Sequence, residues 1–401
     1  MSYEYQEQIR KKVLEQINIF EDISKEQLME CIEECILQFG KEHYIPLWKK
    51  EELRKELYNS FRGFDVLGQV LEDNSISEIM VNSYKEIFIE KGGTLYPYHK
   101  SFQSQKKLED VVQQMVSMSN KRVNEANPMV DFCLEDGSRV NIVLPPISIH
   151  GPTITIRKFS SEPFTMERLI DVGAITKEVY DFLEKLVKSK YNIFVSGGTG
   201  SGKTTFLRAL CQWIPKQERV ITIEDAPELL LSSLDNVVSL LSRDSSVDGE
   251  YEITIRDLIR CALRMRPNRI IVGEIRSGEA LDMLQAMNTG HDGSLSTGHG
   301  NSPKDMLARI ETMVLMGMEI PISAIRSQIA GAIDIMVHVS RMPDKSRKVV
   351  SIDEIIGVEN GEIKLNQIYK LEVLQEKHTY AFKQVGTLIH TEKLKKEGYL
   401  V

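Results

Sequence analysis

The sequence predicts an α/β protein: a mainly parallel sheet wrapped by helices, preceded by a small α+β domain and an N-terminal helical segment. Three observations predict it. Apolar, β-branched runs at Ile193-Phe194-Val195, Val220-Ile221-Thr222-Ile223, Val237-Val238 and Ile270-Ile271-Val272 alternate with helical patterns over 203–213, 254–265 and 278–289, as strands joined by helical crossovers do. Residues 62–160 instead carry short strand-like runs around one helical stretch. Residues 1–60 show apolar positions recurring at three-to-four spacing, the helical period.

In the helical segment, Val13, Leu14 and Ile17, then Leu28, Ile32, Cys35 and Ile36, mark the buried stripe, and Ser24-Lys25-Glu26-Gln27 reads as a capping box at a helix start. In 62–160, Ile79-Met80-Val81 and Ile87-Phe88-Ile89 are strands, Gly92-Gly93 is a turn, and 105–119 is helical. A hairpin follows: Asp131 to Leu134, a turn at Asp136-Gly137, and Arg139 to Leu144. Pro145-Pro146 ends that strand, and Thr153-Ile154-Thr155-Ile156 begins another. Residues 161–175 read as a linker with a short helix, and 176–401 as the large α/β domain with a C-terminal extension.

A chain of 401 residues is long enough for two or three globular units, and 42% apolar with 27% charged residues suits a packed core. The net charge of −8 argues against a surface that gathers nucleic acid. The amino terminus lacks the apolar run of a signal peptide, and no stretch is apolar enough to span a bilayer; the expectation is a cytoplasmic protein. Cys31, Cys35, Cys133, Cys211 and Cys261 form no Cys-x-x-Cys pair, which suggests reduced, buried thiols. Cys31 and Cys35 lie one helical turn apart, but no second pair of metal ligands accompanies them.

The segment Gly197-Gly198-Thr199-Gly200-Ser201-Gly202-Lys203-Thr204-Thr205 has the spacing Gly-x-x-x-x-Gly-Lys-Thr between a strand and a helix. Glycines let the backbone curl so that successive N–H groups face phosphate oxygens, and the helix start adds its own unpaired donors. Lys203 is placed to reach the β- and γ-phosphates of ATP, and the Thr204 hydroxyl to ligate Mg²⁺. Glu224-Asp225 and Glu274 each end an apolar strand, where open α/β sheets bind ligands. Glu274 is the first choice to hold the Mg²⁺ water shell or polarise the attacking water, and Glu224 the second. His291 and His299 bracket a glycine-rich turn, Gly290 to Gly300. The pair reads either as structural histidines, as a γ-phosphate sensor, or as metal ligands without further partners. Cations for the phosphate charge are sought among Arg139, Arg157, Arg264, Arg266 and Arg276; the first two otherwise read as strand-face residues, and Arg264 and Arg266 as favourable charges at a helix end.

The order of these motifs resembles that of the secretion ATPases of type II and type IV machines: P-loop, acidic box, Gly-Glu Walker B strand, histidine box. The wording is most similar to the tight-adherence (Flp) pilus assembly ATPases, in DGSRVNIVLPPI at 136–147, GPTITIRKF at 151–159, SGGTGSGKTT at 196–205, TIEDAPEL at 222–229 and ALRMRPNRIIVGEIRSGEALDMLQAMNTGHDGS at 262–294. The resemblance spans 75–360 and implies a RecA-like P-loop ATPase domain and a homo-hexamer whose ATP sites lie between moving domains, with 161–175 as hinge. It assigns Lys203 and Thr204 to the nucleotide and Mg²⁺, Glu224, Asp225 and Glu228 to the acidic box, Glu274 to Walker B, His291 and His299 to the histidine box, and Arg139 and Arg157 to the γ-phosphate. The implied partners are inner-membrane platform proteins, with peripheral attachment through them at the inner face of the cytoplasmic membrane. The sequence departs from the pattern at Gly300, where relatives usually have alanine, and in 242–250, which lacks their Pro-Pro-Asn run. It also lacks the paired-cysteine zinc motif of many type II members. Two alternatives stand beside pilus assembly: a type IV secretion ATPase for conjugation or effector export, and a nucleotide-binding regulator with little hydrolysis.

Overall fold

Three helices, Ser2–Gln16, Lys25–Glu42 and Leu47–Arg62, close one core in which Val13, Leu28, Ile32, Cys35 and Ile36 of the expected stripe are joined by Ile9, Leu53 and Leu57; Ile17 and the Leu14 side chain lie outside what the structure describes. Ser24 starts the second helix, its Oγ accepting the Gln27 N–H while the Gln27 side chain accepts the Ser24 N–H. The computed structural model describes residues 2–16, 24–62, 64–119, 121–159, 164–243, 252–374 and 379–399. It divides into two units, Met1–Ser160 and Ser161–Val401.

The rest of the first unit is a six-stranded antiparallel sheet of β1 (Ile76–Val81), β2 (Ile87–Lys91), β3 (Thr94–Pro97), β4 (Met129–Cys133), β5 (Arg139–Val143) and β6 (Thr153–Arg157), in the order β3-β2-β1-β6-β5-β4. Helix Gln105–Ser117 covers one face, its Leu108, Val111, Val112 and Met115 joining Ile79, Val140, Ile142, Ile154 and Ile156 in the core. Side chains alternate across a strand, so Arg139 and Arg157, flanking the buried Val140 and Ile156, stand on the open face.

The second unit carries a nine-stranded sheet: β7 (Ile193–Gly197), β8 (Val220–Glu224), β9 (Val237–Leu241), β10 (Arg269–Val272), β11 (Leu295–His299), β12 (Ile335–Arg341), β13 (Arg347–Glu359), β14 (Glu362–Leu374) and β15 (Thr379–Gln384). The order is β15-β14-β13-β12-β7-β11-β10-β8-β9; the stretch from β12 to β9 is parallel, and β12 to β15 is an antiparallel meander. The inner parallel strands are buried on both faces, and the edge strand β9 is only partly covered. In β7, Ile193 and Val195 enter one core with Leu183, Leu207 and Val337, while Phe194 enters the other with Ile223, Ile270, Met283 and Met306.

Several expectations need correction. The glycine-rich run after Gly290 is not one turn: Leu295–His299 forms β11, in the middle of the sheet. Its small residues hide the signal of a strand, yet they are required, because a Cβ at Gly298 would lie 2.7 Å from Met306 and 2.9 Å from Phe194. The C-terminal extension continues the main sheet as a meander. Cys35 and Cys211 are buried thiols, pushed up by burial to about 11 and about 12, but Cys133 and Cys261 are exposed. Residues 244–250, where the Pro-Pro-Asn run is missing, lie outside the described residues.

Candidate functional site

The phosphate loop leaves β7 at Gly197 and enters helix Lys203–Cys211. Gly197 is required by close approach, since a Cβ there would lie 2.3 Å from the Val339 carbonyl oxygen and 2.6 Å from Ser201 Oγ. Gly200 and Gly202 adopt the left-handed region, with φ of 68° and 93°, where L side chains are strained. Gly198 and Thr199 face outward, and the space beside Gly198 is open. Lys203, Thr204 and Thr205 form the first turn of the helix, and the first helical bond runs from Phe206 N–H to Gly202. The main-chain donors of that first turn are therefore available to an anion.

Lys203 is buried, and its Nζ donates to the Gly198 carbonyl at 3.0 Å and lies 3.1 Å from His299 Nδ1. His299 reaches it because β11 pairs in parallel with β7, setting His299 opposite Gly197. An ammonium can only donate, so His299 Nδ1 accepts and Nε2 carries the hydrogen. That Nε2 comes within 2.8 Å of Glu274 Oε1, but off the line of its N–H, and Oε1 remains a buried acceptor without an aligned hydrogen bond. Burial lowers the His299 pKa; Glu274 pulls it upward, while Lys203 and Arg276 push it down. The ring is therefore neutral at pH 7. Glu274 Oε2 accepts from Arg276 Nη2 at 2.8 Å and Nε at 3.1 Å, and Arg276 Nη1 lies 3.4 Å from Asp225 Oδ2. Burial opposes the Arg276 charge, yet Glu274, Asp225 and Glu228 hold its pKa raised. One chain of polar contacts thus runs from the phosphate loop through His299 and Glu274 to the acidic box.

Other residues singled out from the sequence do other things. Glu224 is buried, and its Oε1 accepts the main-chain N–H groups of Glu228 and Leu229 at 3.1 and 3.0 Å. It anchors the turn after β8, which leaves Glu274 as the carboxylate beside Lys203. His291 lies at the opposite end of β11, where Leu295 pairs with Ile193, a strand's length from the phosphate loop. There His291 Nδ1 sits 3.2 Å from the Ala286 carbonyl, and its own carbonyl accepts the Ser294 hydroxyl. The two histidines do not form a pair, so a metal site between them is ruled out. Among the described residues no three His, Cys, Asp or Glu side chains gather as a metal cage. Arg264 and Arg266 precede β10 and are exposed at that same far end. Arg139 and Arg157 lie in the other unit, directly opposite each other on β5 and β6, with Glu78 Oε1 4.0 Å from Arg157 Nε.

Two site residues escaped sequence reasoning. His338 on β12 is buried with Nδ1 2.9 Å from Ser196 Oγ, and burial lowers its pKa. A histidine inside the apolar run Ile335 to Val339 is a signal that could have found it. Arg347, at the start of β13, donates from Nε to the Gly200 carbonyl at 3.0 Å; nothing local in the sequence points to it. Gly300, by contrast, has a plain reason: a Cβ there would lie 2.9 Å from Met306 Cβ.

This donor set fits a triphosphate tail with Mg²⁺. The cradle is open at Gly198, a buried lysine borders it, and Glu274 Oε1 is a buried oxygen still lacking an aligned donor. Thr204 and Glu274 would supply the few hard oxygen ligands that Mg²⁺ takes beside phosphates and water.

The Type II/IV secretion system protein family matches residues 62–387. The chain is 33% identical over 296 residues to the type IV secretion system protein VirB11 of Brucella suis, covering 67% of this chain and 82% of that protein. It is 32% identical over 319 residues to VirB11 of Bartonella quintana, covering 69% and 87%. The fold is that of the pilus retraction motor PilT, with a TM-score of 0.52 at 19% identity over 83% of this chain and 86% of that one. No helix among the described residues is long and apolar enough to cross a membrane. The chain belongs to the type II/IV secretion ATPase family.

Proposed function

We propose that this chain hydrolyses Mg-ATP and, as one subunit of a homo-hexamer, drives an export machine at the inner face of the cytoplasmic membrane. The observation that carries the reading is the contact chain from Lys203 through His299 to Glu274 beside the phosphate loop. The first-turn amides of helix Lys203–Cys211 and the loop amides bind the phosphates, and Lys203 brings a charged donor to the β- and γ-oxygens. Glu274 accepts the proton of the attacking water, with Arg276 and His299 fixing where its two oxygens stand. Mg²⁺, held by Thr204 and by Glu274 directly or through water, would neutralise charge on the phosphates. The role of Arg139 and Arg157 at phosphate charge rests on the resemblance. Support comes from their placement directly opposite each other on β5 and β6, which brings two cations to one place.

The test is single-turnover hydrolysis of Mg-ATP. Glu274→Gln should still bind ATP and turn over at least about tenfold more slowly; equal rates remove Glu274 from the mechanism. A chain that binds ATP and never hydrolyses it would instead be the nucleotide-binding regulator. For the machine, we propose tight-adherence pilus assembly with inner-membrane platform proteins as partners, on the wording of 136–159 and 262–294. A second reading, type IV secretion, is favoured by the relatives named VirB11. Pilin and platform genes beside this one would decide for the first; genes for a relaxase or a secretion core complex would decide for the second.

A further inference from the structure

The β12–β13 hairpin holds two distant segments at once. Its turn is fixed: Asp344 Oδ1 accepts the Ser346 N–H and hydroxyl at 2.9 and 2.6 Å, Met342 N–H donates to the Ser346 carbonyl at 2.7 Å, and Lys345 takes a positive φ of 68°. From this turn Arg347 reaches the phosphate loop, donating to the Gly200 carbonyl and lying so close to Gly202 that a Cβ there would sit 3.3 Å from Arg347 Cδ. The next residue turns the other way, as strand residues do. Lys348 Nζ donates to the Gly173 carbonyl at 2.7 Å, and Val349 N–H to the Ala174 carbonyl at 3.0 Å. Gly173 and Ala174 follow the short helix Met166–Asp171, through which the chain enters the second unit.

Between the phosphate loop, this entry segment and the hairpin lies a cavity of about 260 Å³, lined by Leu169, Val172, Thr205, Val339 and Arg347 among others. Leu169, Ala174, Val339 and Val349 share one apolar core beside that space, and Arg347 and Lys348, which line it, add polar grips to this contact. The Gly200 grip also has an electrostatic consequence. A loop whose amides converge on a phosphate must turn its carbonyls away, and a cation outside the loop holds the Gly200 carbonyl in that sense.

We propose that Arg347 is a positioning residue for the phosphate loop, and that Arg347 and Lys348 make the β12–β13 hairpin the link by which an occupied loop stiffens residues 169–175. The inference rests on the nucleotide reading of the loop.

The test uses the full chain, with Mg-ATP, and three variants. Arg347→Ala should raise KM about five- to tenfold, the net worth of one solvent-exposed hydrogen bond, with kcat within about twofold and, the side chain being exposed, little change in Tm. Arg347→Lys, which keeps a charged donor, should recover most of the loss. In the wild type, Mg-ATP should slow amide hydrogen exchange at Gly173 to Ile175. That response should vanish in Arg347→Ala and in Lys348→Ala, with Lys348→Ala keeping the wild-type KM. Wild-type KM in Arg347→Ala, or an intact exchange response in both variants, would overturn the link while leaving the phosphate site standing. A wild-type chain that binds no Mg-ATP would overturn both.

Discussion

The two ends of the nine-stranded sheet are made by the same strands and differ in kind. Where the parallel strands begin, polar groups are locked. Arg269 has no exposed surface; it pairs with Glu218 and donates to the carbonyls of Val187 and Gly293. Asn192 donates to Ala332 and accepts from Gly293 and Ser294, while Asp334 accepts from the Asn192 main chain and from Lys393. Where the strands end, left-handed glycines, a buried lysine and a carboxylate oxygen without an aligned donor face one another. One end specifies the sheet and the other keeps binding capacity in reserve, which is how sites come to sit on folds. His291 and His299 show the difference sharply: five residues of β11 put one at the locked end and the other beside Lys203.

Breaking the locked end should have the largest effect. Arg269→Met leaves Glu218 without its main partner and should cost about 3–5 kcal/mol of stability, read by urea or thermal unfolding. Adding Glu218→Leu should return much of it; no loss in the single variant would mean that the pair does not hold the sheet. Next, Glu274→Gln should reverse the profile, with turnover slowed as above and stability within about 1 kcal/mol of wild type. The histidines give a smaller contrast. His299→Gln should slow single-turnover hydrolysis several-fold, and His291→Gln should leave it unchanged with stability within about 0.5 kcal/mol. Equal effects on hydrolysis would erase the distinction between the ends.

The finest difference is in pH. Burial lowers the pKa of His299 and His338 at the binding end. Below about pH 6.5 the unfolded chain takes up protons that the folded chain refuses, so stability falls as pH drops toward the lowered values. Burial raises Asp334 at the locked end, against the pull of Lys393. Its folded form holds a proton to higher pH than the unfolded form, so stability rises as pH falls through that raised value toward about 3.9. Unfolding measured across pH should lose the first slope partly in His299→Gln and the second in Asp334→Asn. Unaltered slopes would remove these groups from the response.

The phosphate loop and the Glu274 strand were legible in the sequence because each is local: adjacent residues flanked by a strand and a helix. The division of labour between Glu224 and Glu274 was not, since both end apolar strands and only the turn at Glu228 and Leu229 occupies one of them. β11 was hidden by its small residues, and with it the separation of the two histidines. Arg347 meets the loop across 147 residues and His338 meets Ser196 at the end of β7 across 142, and contacts at that range leave no period or spacing to read. The helical segment was legible as helices, because Ser24 and the apolar stripe are local signals, but its surface carries no chemistry that names a partner.

The most direct test is calorimetric binding of Mg-ATP to the full chain and to Lys203→Ala. The phosphate-loop reading predicts saturable binding by the wild type and its loss in Lys203→Ala while the variant remains folded. Equal affinity in the two proteins would contradict it.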